Sequence, residues 1–295
     1  PTRSRWLSSI VGTLLFTVAS SGAAQPGAAF GELEFVRDQL VRVVAGARSI
    51  EVRAGTRSST AFQGRDLQMW SGANEHGVLV AAMTGSGIET AFVPIVDRVP
   101  GPARRSPIPR LAGDDWAPVG AAIAARPDGF AAFWQEANVR APGQLYRTFI
   151  ARFDPQGRPV GETGEVRARW PMADVAYEPG TNRYYMLLYF GSPQGTRLCG
   201  VHVDGETLAS MEHPFWVSQQ ARSIEDARLV RDGARLFALY LAGENVDQIF
   251  EANVTQGQWG QDPPNAPVRR GVLRPGQVYS GLVRGDAVDL LWAPF

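Results

Sequence analysis

Short apolar runs rich in aromatic and β-branched residues, each bounded by Gly, Asp, Asn or Pro, recur at near-constant intervals along the chain. They begin at Gly77 (GVLVAAM), Gly129 (GFAAFW), Arg183 (RYYMLLYF), Arg235 (RLFALYLA) and Ala287 (AVDLLWA), so successive starts lie 52, 54, 52 and 52 residues apart. Two more columns keep step. Trp134, Tyr189, Tyr240 and Trp292 close these runs, and Phe92, Phe149, Cys199 and Phe250 sit in the run that follows each. A period held by three columns marks a repeat architecture in which each unit packs on its neighbours.

Ahead of four of these runs lies another: Val119 to Ala125, Ala173 to Glu178, Asp226 to Arg231, and Val278 to Arg284. The intervening PDG, PGTN, DGA and GD are the short turns that antiparallel hairpins require. A weaker fourth run, Glu165 to Arg169, completes a four-stranded unit of ~40 to 50 residues, the size of a propeller blade. Units then run from about Gln63 to Leu111, Asp114 to Ala168, Arg169 to Ala221, Arg222 to Arg274, and Pro275 to the end. The last holds only two strands. If the N-terminal stretch supplies the other two, within Glu34 to Arg57, the ring closes and no sheet edge stays bare. Leu33, Val36, Leu40, Val43 and Ala47 also trace a helical face, which keeps a short helix open as the alternative there. The expected fold is all-β: a five-bladed β-propeller of four-stranded blades, its ring closed by N-terminal strands. A β-sandwich would not explain the repeat.

Asp128-Gly129 before an apolar strand ending in Trp134, followed by Phe153-Asp154 and Gly157 in a later turn, resembles the loosely patterned repeats of secreted bacterial β-propeller proteins. The resemblance covers one unit well, with Val203-Asp204-Gly205 and Val254-Thr255-Gln256-Gly257 departing from it in the turn. Such repeats imply a scaffold and no single activity.

Arg3 and Arg5, an apolar run from Trp6 to Val18, and small residues to Ala24 read as a secretory signal over 1–24, followed by one propeller domain over 25–295. No later stretch is apolar enough to span a bilayer, so no stable membrane span is expected once the signal is removed. All 29 basic residues are Arg, against 29 acidic ones. That balance gives no electrostatic footprint for nucleic acid. Cys199 falls in an apolar column and reads as a buried small side chain.

No nucleophile elbow occurs, the absence of Lys excludes a phosphate loop, and His76, His202 and His213 are scattered, so neither a metal nor a cofactor is expected. Asp174 and Asp226 stand 52 residues apart in corresponding strands, with Glu178 four beyond Asp174. A propeller glycosidase would need a third acid with them in one pocket. The same two residues also suit strand starts that bond backbone amides between blades. Trp70, Trp116 and Tyr279 are aromatic candidates for stacking on a sugar or a protein partner. The resulting expectation is a secreted or periplasmic, non-catalytic module binding a glycan or protein at one channel mouth. The alternative is a carbohydrate-active hydrolase using inner-strand carboxylates. A third carboxylate lining a common pocket with Asp174 and Asp226 separates the two.

Overall fold

A computed structural model describes residues 30–294 apart from 38, 66, 86, 110, 112, 142–145, 167, 169, 210–213, 233–234, 244–246, 255–266, 275–276 and 285–286. The expected signal and His213 lie outside the described residues, as does the side chain of Trp292.

The described elements are all strands. The first sheet is β1 (Phe30–Val36), β2 (Gln39–Ala45), β3 (Ser49–Ala54) and β4 (Arg57–Gln63). The second is β5 (Gln68–Asn74), β6 (Gly77–Thr84) and β7 (Gly87–Val96), with β8 (Val99–Pro100) and β9 (Arg104–Pro107) both paired to β7. The third is β10 (Trp116–Arg126), β11 (Gly129–Asn138), β12 (Tyr146–Phe153) and β13 (Pro159–Val166). The fourth is β14 (Met172–Glu178), β15 (Arg183–Ser192), β16 (Gly195–Asp204) and β17 (Phe215–Trp216). The fifth is β18 (Ile224–Asp232), β19 (Arg235–Ala242), β20 (Gln248–Asn253) and β21 (Val268–Val272). These are the five antiparallel blades of a five-bladed β-propeller, and a two-stranded hairpin, β22 (Gln277–Arg284) with β23 (Ala287–Pro294), stands beside them.

The five runs counted in the sequence are β6, β11, β15, β19 and β23, beginning at the expected residues. Each is the second strand of its sheet. Most of β6, β11, β15 and β19 is buried on both faces, because each face packs on an adjacent blade. Separate apolar clusters fill the spaces between successive sheets.

The N-terminal segment differs from expectation in detail. It forms four strands and no helix. Arg37 in the left-handed region at φ 56°, Gly46 donating its N–H to the Ser49 carbonyl at 2.8 Å, and Gly55 at φ 58° make three consecutive turns. Val41, Val43, Ile50, Val52 and Ala54 alternate inward on the strands between them. This segment is therefore a blade of its own. The C-terminal hairpin keeps two strands, and the ring closes by packing, with β22 lying against β18 on one side and β1 on the other.

The innermost strands β1, β5, β10, β14, β18 and β22 follow one another around the channel. Three carry a register break near their start: between Pro118 and Gly120 in β10, Met172 and Asp174 in β14, and Glu225 and Arg228 in β18. A bulge of this kind bends a strand and re-aims its side chains. One polar staple ties two blades together. Buried Gln135 on β11 donates from Nε2 to Thr148 Oγ1 and to the Trp170 carbonyl, both at 2.9 Å, and its Oε1 accepts the Met172 N–H at 2.7 Å. Those bonds hold the segment that leads into β14.

Candidate active site

β1 reads Gly31-Glu32-Leu33-Glu34. Period-two alternation puts Glu32 and Glu34 on the same face of the strand, with buried Leu33 between them. That face belongs to a cavity of about 330 Å³ inside the ring, lined by residues of β1, β5, β10, β14, β18 and β22. Glu32 and Glu34 meet Asp174 and Asp226 there, with the Arg228 guanidinium among them. Ser71 on β5 joins the two glutamates: its Oγ lies 2.5 Å from Glu32 Oε2 and 2.7 Å from Glu34 Oε1.

The β18 bulge shapes the opposite wall. Asp226 has a left-handed backbone, φ 44°, an uncommon conformation for a side-chain-bearing residue. The backbone groups freed by the bulge find side-chain partners on both neighbours. The Ala227 N–H donates to Tyr189 Oη at 3.1 Å, the Leu229 N–H donates to Asp174 Oδ2 at 2.7 Å, and Tyr279 Oη donates to the Asp226 carbonyl. Arg228 reaches back to Asp226 Oδ1 through both Nε and an Nη at 3.0 Å and lies over the Tyr279 ring at 5.5 Å. The bulge also shifts correspondence. Asp174 pairs with Leu187, and the residue pairing with Leu239, 52 further on, is Arg228 rather than Asp226.

Four acids around the Arg228 guanidinium leave this part of the cavity with excess negative charge, and all five side chains are half-buried. Burial, then the charge of Glu32, pushes the Glu34 carboxyl up to about 8. Asp174 is pushed up to about 7, mainly by burial and against the amide bonds it accepts. Glu32 is raised by burial too, with Arg228 as the main opposing influence. Burial works against the charge on Arg228, and Asp226 and Glu32 more than offset it, so its pKa is raised. A carboxyl that keeps its proton at neutral pH can serve as an acid, and one near 7 can exchange a proton readily.

Asp174 and Asp226 share the cavity, and Trp70 is on its wall, nearly buried. Tyr279 is fully buried and engaged with the bulge. Trp116 is partly buried under the Arg147 guanidinium, 5.8 Å from its ring, and does not line the cavity. Glu178, at the end of β14, is outside it as well, with Oε2 3.9 Å from His202 Nε2 and 3.2 Å from Thr181 Oγ1. Glu32, Glu34, Ser71 and Arg228 were not among the expected site residues. The Glu-x-Glu alternation at 32–34 is the sequence signal that carries the first two. Among the described residues no group of three or more His, Cys, Asp or Glu is arranged to hold a metal ion.

No family model matches the chain, and no curated protein matches it either. Solved structures resemble it at low identity. A thermostable family-43 glycoside hydrolase aligns with TM-score 0.48 and 9% identity over 81% of this chain and 96% of that one. An α-L-arabinanase of Cellvibrio cellulosa complexed with arabinohexaose gives 0.43 and 10% over 85% and 99%. An α-L-arabinofuranosidase of Clostridium thermocellum gives 0.45 and 12% over 90% and 94%. The expectation of a non-catalytic binding module is corrected here. The cavity itself holds, beside Asp174 and Asp226, the further carboxylates Glu32 and Glu34, the feature expected to separate a hydrolase site from a passive surface.

Proposed function

We propose that the chain is a carbohydrate-active hydrolase that cleaves a glycosidic bond in the channel cavity, acting outside the cytoplasm as its signal-like first 24 residues suggest. One observation carries this reading: four carboxylates, among them Glu34 and Asp174 with pKa values raised by burial, line one cavity inside the ring that is large enough for a sugar ring. Glu34 gives its proton to the leaving glycosidic oxygen. Asp174 takes a proton from a water that attacks the anomeric carbon, so the pair ends with its protons exchanged and the product carries the water's hydroxyl. Asp174 keeps a free lone pair on each oxygen for that water, since each accepts one amide bond. Arg228 holds Asp226 and stabilises Glu32 as an anion, and Trp70 offers an apolar wall.

The base must be deprotonated and the acid protonated, so activity is highest between about 7 and about 8. The test is release of nitrophenol or reducing sugar from 4-nitrophenyl glycosides and polysaccharides by the purified chain, with Glu34→Gln and Asp174→Asn beside it. Each variant is expected to lose about 10² to 10⁴ of kcat. Hydrolysis that survives unchanged in both variants, or a wild-type chain that cleaves none of the panel, overturns the proposal.

A further inference from the structure

A hydroxyl owns one hydrogen, so Ser71 can donate to only one of the two carboxyl oxygens within 2.7 Å of it. The other contact is a hydrogen bond only if that carboxyl carries a proton and donates it to Ser71 Oγ. If both glutamates were ionised, one oxygen would face a hydroxyl lone pair at hydrogen-bond distance, a repulsive contact. Which glutamate keeps the proton follows from the groups around them. Arg228 on β18 acts more strongly on Glu32 than on Glu34, and Asp226, beside it, partly counters that on Glu32. Glu32 and, more weakly, Asp174 on β14 oppose ionisation of Glu34. Tyr177 on β14 and Arg231 on β18 also line the cavity. Tyr279 on β22 is buried and points its hydroxyl at the Asp226 carbonyl, and β5 and β10 bring no ionisable side chain to the cavity.

We propose that Ser71 is a positioning residue that divides the labour of the glutamate pair: it donates to ionised Glu32 and accepts from protonated Glu34, which fixes Glu34 as the one group able to deliver a proton. This rests on the hydrolase reading for its purpose, though the chain of hydrogen bonds stands without it. Removing the hydroxyl then moves each carboxyl in a definite direction. Without it, anionic Glu32 loses a donor and holds its proton more tightly, while neutral Glu34 loses an acceptor and releases its proton more easily. The two titration steps of the pair therefore move toward each other, a result that loss of packing alone does not produce.

The experiment compares the wild-type chain with Ser71→Ala and Ser71→Thr, each labelled with ¹³C at the glutamate carboxyl, by NMR titration alongside the pH profile of hydrolysis. Glu32→Gln and Glu34→Gln assign the two signals. Ser71→Ala is expected to narrow the gap between the steps, to lower kcat about tenfold to a hundredfold with KM little changed, and to move the basic limb of the profile to lower pH. Ser71→Thr, which keeps a hydroxyl, is expected to restore both. Steps in Ser71→Ala that shift the same way, or not at all, overturn the role given to Ser71. If Ser71→Ala does not fold, wild-type and Ser71→Thr spectra decide: a glutamate carboxyl still protonated near neutral pH in both supports the proposal, and two ionised ones refute it. The NMR readout needs no substrate. A wild-type chain without hydrolytic activity that still shows the split titration thus sinks the hydrolase reading and leaves Ser71's role standing.

Discussion

Folding should weaken as pH rises from about 5 to about 8, opposite to the behaviour of chains whose carboxylates are held by ion pairs. Asp174 and Glu34 are raised in the fold, so in this window the folded chain binds more protons than the unfolded one. Stability then falls with pH, because ionising either group costs more in the cavity than in the unfolded chain. For Asp174, raised from 3.8 to about 7, the loss begins above the lower value and is complete above the upper. A tenfold difference in proton affinity between the folded and unfolded chain corresponds to about 1.36 kcal/mol, so about 3 kcal/mol disappears between about pH 5 and about pH 8 from this residue alone. Asp128 and Asp154 have lowered pKa values and titrate below this window, so they do not offset the slope. Asp174→Asn keeps a side-chain acceptor for the Leu229 amide and cannot ionise. It should shrink the difference between the two pH values by about 3 kcal/mol. Glu34→Gln should shrink it by a similar amount, and the double variant by less than the sum, because the groups repel each other. Urea unfolding followed by tryptophan fluorescence at both pH values measures this. A wild-type chain at least as stable at the higher pH, or variants with an unchanged difference, would refute the electrostatic description of the cavity.

Two further expectations concern the scaffold. Gln135→Ala removes three hydrogen bonds and strands the Trp170 carbonyl and the Met172 N–H, so it should cost about 2 to 4 kcal/mol in urea unfolding; a change below ~0.5 kcal/mol would mean that the blades are held without it. Gly129→Ala puts a Cβ 2.0 Å from the Phe153 carbonyl oxygen on a backbone at φ 140°, and should destabilise by at least about 2 kcal/mol, read as a lower Tm.

Most of the scaffold was legible in the chain because strand alternation, turn chemistry and the repeat are local or periodic. The start of β6, β11, β15, β19 and β23 could be read to the residue, since each begins where a turn ends and an apolar run starts. The N-terminal blade was harder. Its Leu33, Val36 and Val43 suit a helix or a strand, and only the three turns at Arg37, Gly46 and Gly55 settle the matter in favour of four strands. Asp174 and Asp226 could be picked out by their spacing, while Tyr279, equally suggestive as an exposed aromatic, is consumed by the bulge it supports.

The repeat length and the all-β character follow from the sequence by itself, because each depends on neighbours a few residues away or on a constant interval, and Asp174 and Asp226 stood out there as acids of inner strands. Tertiary structure alone decided that Glu32 and Glu34 join them, that one serine serves both, and that Arg228 rather than Asp226 corresponds to Asp174. Those facts depend on how the ring closes and on a two-residue bulge. Closure brings β1 beside β22, nearly the whole chain apart in sequence, and no periodic signal encodes which side chains then share a cavity.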